Sequence, residues 1–139
     1  MAKPKQLERL KQGADGWNAW RGEHPRERID LSEAKLSETD LSWFNLSWAD
    51  LTNADLSGSY LWYANVSWAA LSRANLTRAT LLSTNFSGTK LSRADLSEAN
   101  LSKACLERAD LTDAVLAKAD LRSADLRRAV FFQGPSHGG

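Results

Sequence analysis

The chain has 139 residues, a length typical of one domain. Its eighteen basic and seventeen acidic residues give a formal net charge of +1, so composition carries no electrostatic sign of binding to nucleic acid or to an anionic membrane. No apolar run approaches the ~20 residues that a membrane span needs. A single cysteine, Cys105, excludes an intrachain disulfide, and no signal peptide opens the sequence. We therefore expect a cytoplasmic protein.

Residues 1–28 contain no repeat and predict a short α-helical cap. Pro4 suits the first turn of a helix, and a second helix is expected at about residues 14–21, ended by His24-Pro25. The apolar side chains of both helices fall on one side, where they would cover the exposed end of the region that follows. The alternative is a helix that binds a partner. The predicted cap residues are Leu7, Leu10, Trp17 and Trp20.

From Ile29 onward, Leu or a substitute recurs every fifth residue through twenty units without an insertion. The central residue is Leu in eighteen units, with Val66 and Phe86 as the exceptions, and the residue two positions earlier is Ala in fourteen. A spacing of two places both side chains on one side of an extended backbone. The next inward residue comes three positions later, so the chain must turn a corner. Each unit is therefore one short edge and one corner, and repetition builds a solenoid.

The register between coils favours four edges per coil, and hence about five coils. At a spacing of twenty, aromatic residues fall over aromatic residues and Asn falls over Asn, as in-register parallel stacking favours. Arg73 over Arg93 argues against this register, because like charges then stack.

The A(D/N)LSx units resemble the pentapeptide repeat family over about three quarters of the chain. The resemblance implies an all-β solenoid, a right-handed quadrilateral parallel β-helix, over residues 29–131. The stretch LKQGADGWNAWR also resembles leader segments of some bacterial family members.

The polar residues of the repeat are those expected at its corners, where the chain turns. The residue before each centre is mostly Asp or Asn, and the residue after it is Ser or Thr in fourteen units. These short side chains hydrogen-bond to nearby backbone. No carboxylate pair is distinguished as an acid and a base, and His24 and His137 form no metal-ligand pattern with Cys105. We expect no catalytic, cofactor or metal site, and hence no enzyme.

An aromatic cluster departs from the consensus in the first two coils. All six of its residues occupy outward positions, which is unusual for a soluble monomer and often marks a contact surface. Two alternatives remain open: the N-terminal segment folds over the rings, or the rings stack only as cross-strand pairs. The candidate surface, called the aromatic patch below, consists of Trp43, Trp48, Tyr60, Trp62, Tyr63 and Trp68.

The C-terminal end has no predicted capping helix. Phe131 and Phe132 are candidates to plug the last coil or to pair with a second copy, since the resemblance implies that dimers through the last coil occur. Residues 132–139 are expected to be a flexible tail. The string VFFQGP, residues 130–135, which includes the start of this tail, resembles a viral-protease cleavage sequence introduced for expression.

Two functions remain. The first is a non-catalytic structural or protein-interaction scaffold that binds a protein through the aromatic patch and binds neither nucleic acid nor membrane. The alternative, implied by the family resemblance, is a DNA-mimic inhibitor or protector of a type II topoisomerase such as gyrase. Residues 29–89 carry a net charge of only −3, with three basic and six acidic residues, which is low for a mimic of DNA.

Overall fold

The computed structural model describes residues 1–131. Two short helices come first, α1 at Pro4–Leu10 and α2 at Gly13–Glu23. Pro4 stands at the first turn of α1, where its missing N–H costs nothing. Gly13 adopts φ +81° and begins α2. Neither helix is long and apolar enough to cross a membrane in the part of the chain that is described.

The repeat region is a ladder of coils joined every twenty residues. Parallel bridges run from Asp30 with Asp50 to Asp110 with Val130, each between residues twenty apart, so one coil contains four units. The Leu31 N–H donates to the Asp50 carbonyl at 2.7 Å, and the Asp50 N–H donates to the Ile29 carbonyl at 2.9 Å. Within residues 1–131 each edge contributes a single bridging residue and no longer strand forms, because a corner follows at once.

Every corner is a β-turn with the same backbone geometry. In the first turn the Ala34 N–H donates to the Leu31 carbonyl at 3.1 Å, and the third residue, Glu33, has φ +61°. A positive φ confined to the third residue is the requirement of a type II turn. All twenty units repeat it, with Gly at this position only in Gly58 and Gly88.

The Asp and Asn residues that precede the centres fix these turns. The Asp50 Oδ1 accepts the Thr52 N–H at 3.0 Å, and the Asn65 Oδ1 accepts the Ser67 N–H at 3.0 Å. Each Asp or Asn at this position makes the same bond in residues 1–131. The side chain therefore supplies an acceptor for a turn N–H that the ladder leaves unpaired.

The core is a narrow column of central residues and small neighbours along the axis. Central side chains from Leu31 to Leu111 are buried, whereas Leu116, Leu121 and Leu126 in the last coil are only partly buried. Inward hydroxyl groups donate to backbone carbonyls: Ser59 to Leu56 at 2.6 Å in its own unit, and Thr89 to Val66 at 2.8 Å in the preceding coil. Among residues 1–131, no buried side-chain nitrogen or oxygen lacks a hydrogen-bond partner.

Candidate interaction surface

The aromatic patch lies on the outside of the first two coils, residues 29–68. Trp43, Trp48, Tyr63 and Trp68 occupy the third turn position, with φ between 58° and 69°. A left-handed backbone costs an L-residue about 1–2 kcal/mol. The ladder imposes this conformation on all twenty units, so the strain is not specific to the aromatic residues.

Four of the six rings stack in pairs between neighbouring coils. The rings of Trp43 and Tyr63 have centroids 4.6 Å apart and an interplanar angle of 12°. Trp48 and Trp68 stack at 5.7 Å and 15°. Such pairs are worth about 0.5–1.5 kcal/mol beyond the area they bury.

The second tryptophan stack rests on a glycine. A Cβ built on Gly88 would lie 2.5 Å from Cε3 of Trp68, closer than any real contact. The ring therefore occupies the space that a side chain at position 88 would fill. Gly58, the other turn glycine, leaves more room, since its Cβ would meet only Cγ of Glu38 at 3.3 Å. The sequence signal for this packing was a glycine twenty residues after a tryptophan.

The N-terminal helices do not cover the patch. Its six side chains remain between 44% and 70% exposed. Trp17 instead is fully buried against the inward Phe44, with ring centroids 6.1 Å apart, and Leu10 and Trp20 are also buried. Leu7 is partly buried against the same core. The two sets of aromatic residues therefore have separate places, one at the end of the core and one on the outer surface.

Polar residues of the cap close part of the open edge of the first coil. The Asn18 amide accepts the Asn45 N–H at 2.8 Å and donates to the Trp43 carbonyl at 2.9 Å. The Gln6 amide does the same one face away, accepting the Asp30 N–H at 2.8 Å and donating to the Arg28 carbonyl at 2.9 Å. Each amide oxygen replaces the carbonyl group that a preceding coil would provide to the N–H of Asn45 or Asp30. Sequence reasoning missed both residues, because an isolated Gln or Asn carries no periodic signal.

Two further donors from α2 bind the same edge. The Trp17 indole donates to the Asn45 carbonyl at 2.7 Å, and Arg21 donates to the Asn45 and Ser47 carbonyls at 2.9 and 3.0 Å. Loss of solvent around Arg21 lowers the pKa of its guanidinium. The cap is therefore joined to the first coil by polar contacts as well as by its apolar side chains.

Charge is segregated along the solenoid. Residues 29–68 hold one basic and six acidic residues, a net charge of −5, whereas residues 69–131 hold ten basic and seven acidic residues, a net charge of +3. Residues 1–28 also carry +3. The aromatic patch thus lies in the acidic part of a nearly neutral chain.

Hydrogen bonds stabilise the charged form of several corner carboxylates. The Ser57 hydroxyl and N–H lower the pKa of Asp55, and those of Ser32 lower the pKa of Asp30. Hydrogen bonds from Arg122 lower the pKa of Asp120 to about 2. These shifts follow from turn geometry and do not separate any two carboxylates into an acid and a base.

One group of potential metal ligands lies on the outer surface. The Cys105 thiol and the carboxylates of Glu107 and Asp125 have ligand atoms within 4.8 Å of one another. The Arg127 guanidinium lies 2.7 Å from Asp125 Oδ2 and 3.7 Å from Glu107 Oε2. An arginine therefore already neutralises both carboxylates, so the group fits an ion pair better than a cation site.

The C-terminal end of the described region is partly open. Phe131 is 44% exposed, and the last three central leucines are partly buried. Phe132, the other residue predicted for self-association, and the predicted tail at 132–139 lie outside the described residues.

Comparison with known families identifies the repeat. The Pentapeptide repeats family matches in eight copies, over residues 29–61, 63–97 and 94–131. The chain belongs to the pentapeptide repeat family. This confirms the resemblance that the sequence units indicated. No curated protein gives a significant match.

Two solved pentapeptide repeat structures share the fold. HetL, from the cyanobacterium Nostoc sp. strain PCC 7120 and involved in heterocyst differentiation regulation, is 31% identical, with a TM-score of 0.51 over 78% of this chain and 60% of HetL. QnrB1, a plasmid-mediated fluoroquinolone resistance protein, is 20% identical, with a TM-score of 0.51 over 74% of this chain and 64% of QnrB1. The chain thus spans less than two thirds of either protein.

Proposed function

We propose that this pentapeptide repeat protein is a non-catalytic scaffold that binds another protein through the aromatic patch. The observation that carries the proposal is the exposure of six aromatic side chains on a backbone fixed by hydrogen bonds between coils. Exposed aromatic surface of this kind is typical of binding sites, where Trp and Tyr provide most of the affinity. The proposal includes the architecture of the scaffold, a right-handed quadrilateral β-helix of about five coils with a helical N-terminal cap.

The rigidity of the patch supports binding. Stacking restrains Trp43 against Tyr63 and Trp48 against Trp68 before any partner arrives. Ordering a mobile side chain at an interface costs about 0.5–1.5 kcal/mol, and restrained rings avoid much of that cost. The non-catalytic role is supported by the corner carboxylates, which accept turn N–H groups.

A protein fits the patch better than a nucleic acid. Bases can stack on exposed aromatic rings, but the phosphate backbone requires positive charge beside them. The net charge of residues 29–68 is −5, which repels phosphate groups. We also propose a cytoplasmic location, since the single cysteine requires no oxidising compartment.

The proposal is tested by removing one tryptophan stack. In the variant Trp48→Ser/Trp68→Ser, a partner captured by the wild-type protein from extracts of the source cells should be lost, while cooperative urea unfolding shows that the chain stays folded. The control is Val115→Ser, which removes an exposed apolar side chain far from the patch and should keep the partner. Capture that is unchanged by loss of the stack would contradict the proposal.

The topoisomerase alternative is favoured by one observation, the −5 charge of residues 29–68. Two coils rise only about 10 Å, however, and residues 69–131 reverse the sign, so a continuous DNA-like rod of negative charge is absent from the described part of the chain. A gyrase supercoiling assay decides it: activity unaffected by micromolar protein, with and without a fluoroquinolone, removes the alternative.

Self-association through the last coil is a separate proposal. Partly buried central leucines and the exposed Val130 and Phe131 offer an apolar end to a second copy. Light scattering should give a dimer for the wild-type chain and a monomer for Phe131→Ser. A wild-type chain that stays monomeric over a 100-fold range of protein concentration would refute self-association.

A further inference from the structure

A cleft within the aromatic patch has a composition suited to a cation. Four side chains line it: Asp40, Ser42, Tyr60 and Trp62. Its volume is about 220 Å³. Tyr60 and Trp62 both replace consensus residues, so the cleft has no counterpart in the regular units of the repeat. We propose that this cleft binds the positively charged side chain, ammonium or guanidinium, of a lysine or arginine on the partner protein.

The ladder fixes the positions of the four residues. Asp40 bridges Tyr60 in the next coil, and the Leu41 N–H donates to the Tyr60 carbonyl at 2.7 Å. The Trp62 N–H donates to the Ser42 hydroxyl at 3.2 Å. Asp40 therefore lies beside Tyr60, and Ser42 lies beside Trp62. Neighbouring coils are separated by about 4.8 Å.

The rings of Tyr60 and Trp62 make an edge-to-face contact. Their centroids are 6.4 Å apart and their planes meet at 86°. Both side chains remain about 45% exposed, so ring surface outside their mutual contact is open to a ligand. A cation placed over an aromatic face is attracted by the negative charge of the π system, most strongly for Trp and Tyr.

The carboxylate of Asp40 adds a full negative charge to the cleft. Its Oδ1 accepts the Ser42 N–H at 3.0 Å. Among residues 1–131, no basic group lies within ion-pair distance of this carboxylate. Asp40 can therefore accept hydrogen bonds from an ammonium or guanidinium group that no residue in this part of the chain provides.

The surrounding charge favours the same ligand. Residues 29–68 have a net charge of −5, which raises the local concentration of cationic partners and excludes anionic ones. The assignment to a partner protein rests on the proposed function, whereas the cation chemistry of the cleft is tested separately.

Nuclear magnetic resonance titration of the full chain tests the cleft directly. The probes are N-acetyl-lysine methylamide and N-acetyl-arginine methylamide, with the norleucine analogue as an uncharged control at equal ionic strength. Binding of one cation at an exposed site should be weak, with a Kd on the order of tens of millimolar. The two charged probes should give saturable shifts at Tyr60 and Trp62, including the Trp62 indole N–H. The norleucine probe should give none.

Matched variants separate the cleft from general charge effects. Asp40→Asn keeps the Oδ1 acceptor for the turn and removes the charge, and it should weaken binding about three-fold or more. Asp50→Asn makes the same change on another face and should leave the Kd unchanged. Tyr60→Asn and Trp62→Ser restore the residue types common at their repeat positions, so they should fold, and each should abolish binding.

Three results would overturn the proposal: no saturable shift with either charged probe, an equal response to norleucine, or equal binding by Asp40→Asn and Asp50→Asn. Binding of choline without binding of the lysine or arginine probe would contradict a protein side chain as ligand. Trp48→Ser/Trp68→Ser should still bind the charged probes. If this variant still binds the probes and also still captures the partner, the proposed function is rejected. The cation chemistry of the cleft is then retained.

Discussion

Gly88 lies beneath the ring of Trp68, and its replacement by alanine tests whether the stacked tryptophans depend on that space. The backbone at Gly88 has φ +65°, a conformation that costs an L-residue about 1–2 kcal/mol. Lower entropy of the unfolded chain offsets about 0.4–1 kcal/mol of that cost. The Cβ would also lie 2.5 Å from the indole, so the ring must leave its present position, which disturbs its stack with Trp48.

Gly58 provides a matched control. Its φ is +64°, so Gly58→Ala carries the same backbone cost, but the new Cβ meets only the flexible side chain of Glu38. Gly58→Ala should lower the free energy of unfolding by about 1 kcal/mol. Gly88→Ala should lower it by about 2 kcal/mol, because about 0.5–1.5 kcal/mol of stacking is lost as well.

Urea unfolding followed by far-ultraviolet circular dichroism measures both changes, and near-ultraviolet circular dichroism reports the indole stack. In a Trp68→Ser background the extra cost of Gly88→Ala should disappear, leaving the value found for Gly58→Ala. Equal losses for the two glycines in the wild-type background, with an unchanged indole spectrum, would refute the packing of Trp68 over Gly88.

Three further predictions concern the core, the cap and acid stability. Leu76→Ala should cost about 3–5 kcal/mol and Leu126→Ala clearly less in urea unfolding, because only Leu76 is fully buried; equal costs would contradict a core that opens at the last coil. Trp17→Phe should cost about 2 kcal/mol or more by the same assay, because it removes the hydrogen bond to the Asn45 carbonyl and part of a fully buried ring; an unchanged midpoint would contradict this placement of Trp17. The lowered pKa of Asp55 means that its stabilisation is complete above the ordinary value of 3.8 and is lost as pH falls below it. The thermal midpoint of Asp55→Asn should therefore fall less steeply below pH 4 than that of the wild type, and parallel curves would contradict this.

The repeat unit was predictable because it is a matter of spacing. Leucines five apart with small residues two before them define an edge and a corner, and the family match confirms the repeat. The left-handed backbone at the third residue of each turn was not predicted from the sequence. The side chains at this turn position, which include Trp48 and Lys103, have no common chemistry. The ladder imposes the conformation on any residue that occupies the position.

The candidate surface was only partly predictable. Register showed which rings stack, but the exposure of the patch depends on where the cap lies, and this is decided by Gln6, Asn18 and Arg21. These residues act through single hydrogen bonds to backbone groups of the first coil. No periodicity accompanies such contacts, so a single sequence cannot reveal them.

The central claim is that residues twenty apart lie side by side, and engineered disulfides test it most directly. The hydroxyl oxygens of Ser72 and Ser92 are 3.0 Å apart. Neighbouring strands at about 4.8 Å match the Cα separation that a disulfide needs. In a Cys105→Ser background, Ser72→Cys/Ser92→Cys should oxidise readily to an intramolecular disulfide. Pairs of Ser72→Cys with Ser87→Cys or with Ser97→Cys, which correspond to three or five units per coil, should remain reduced. Efficient bridging at either of these spacings, or none at twenty, would contradict the four-unit coil.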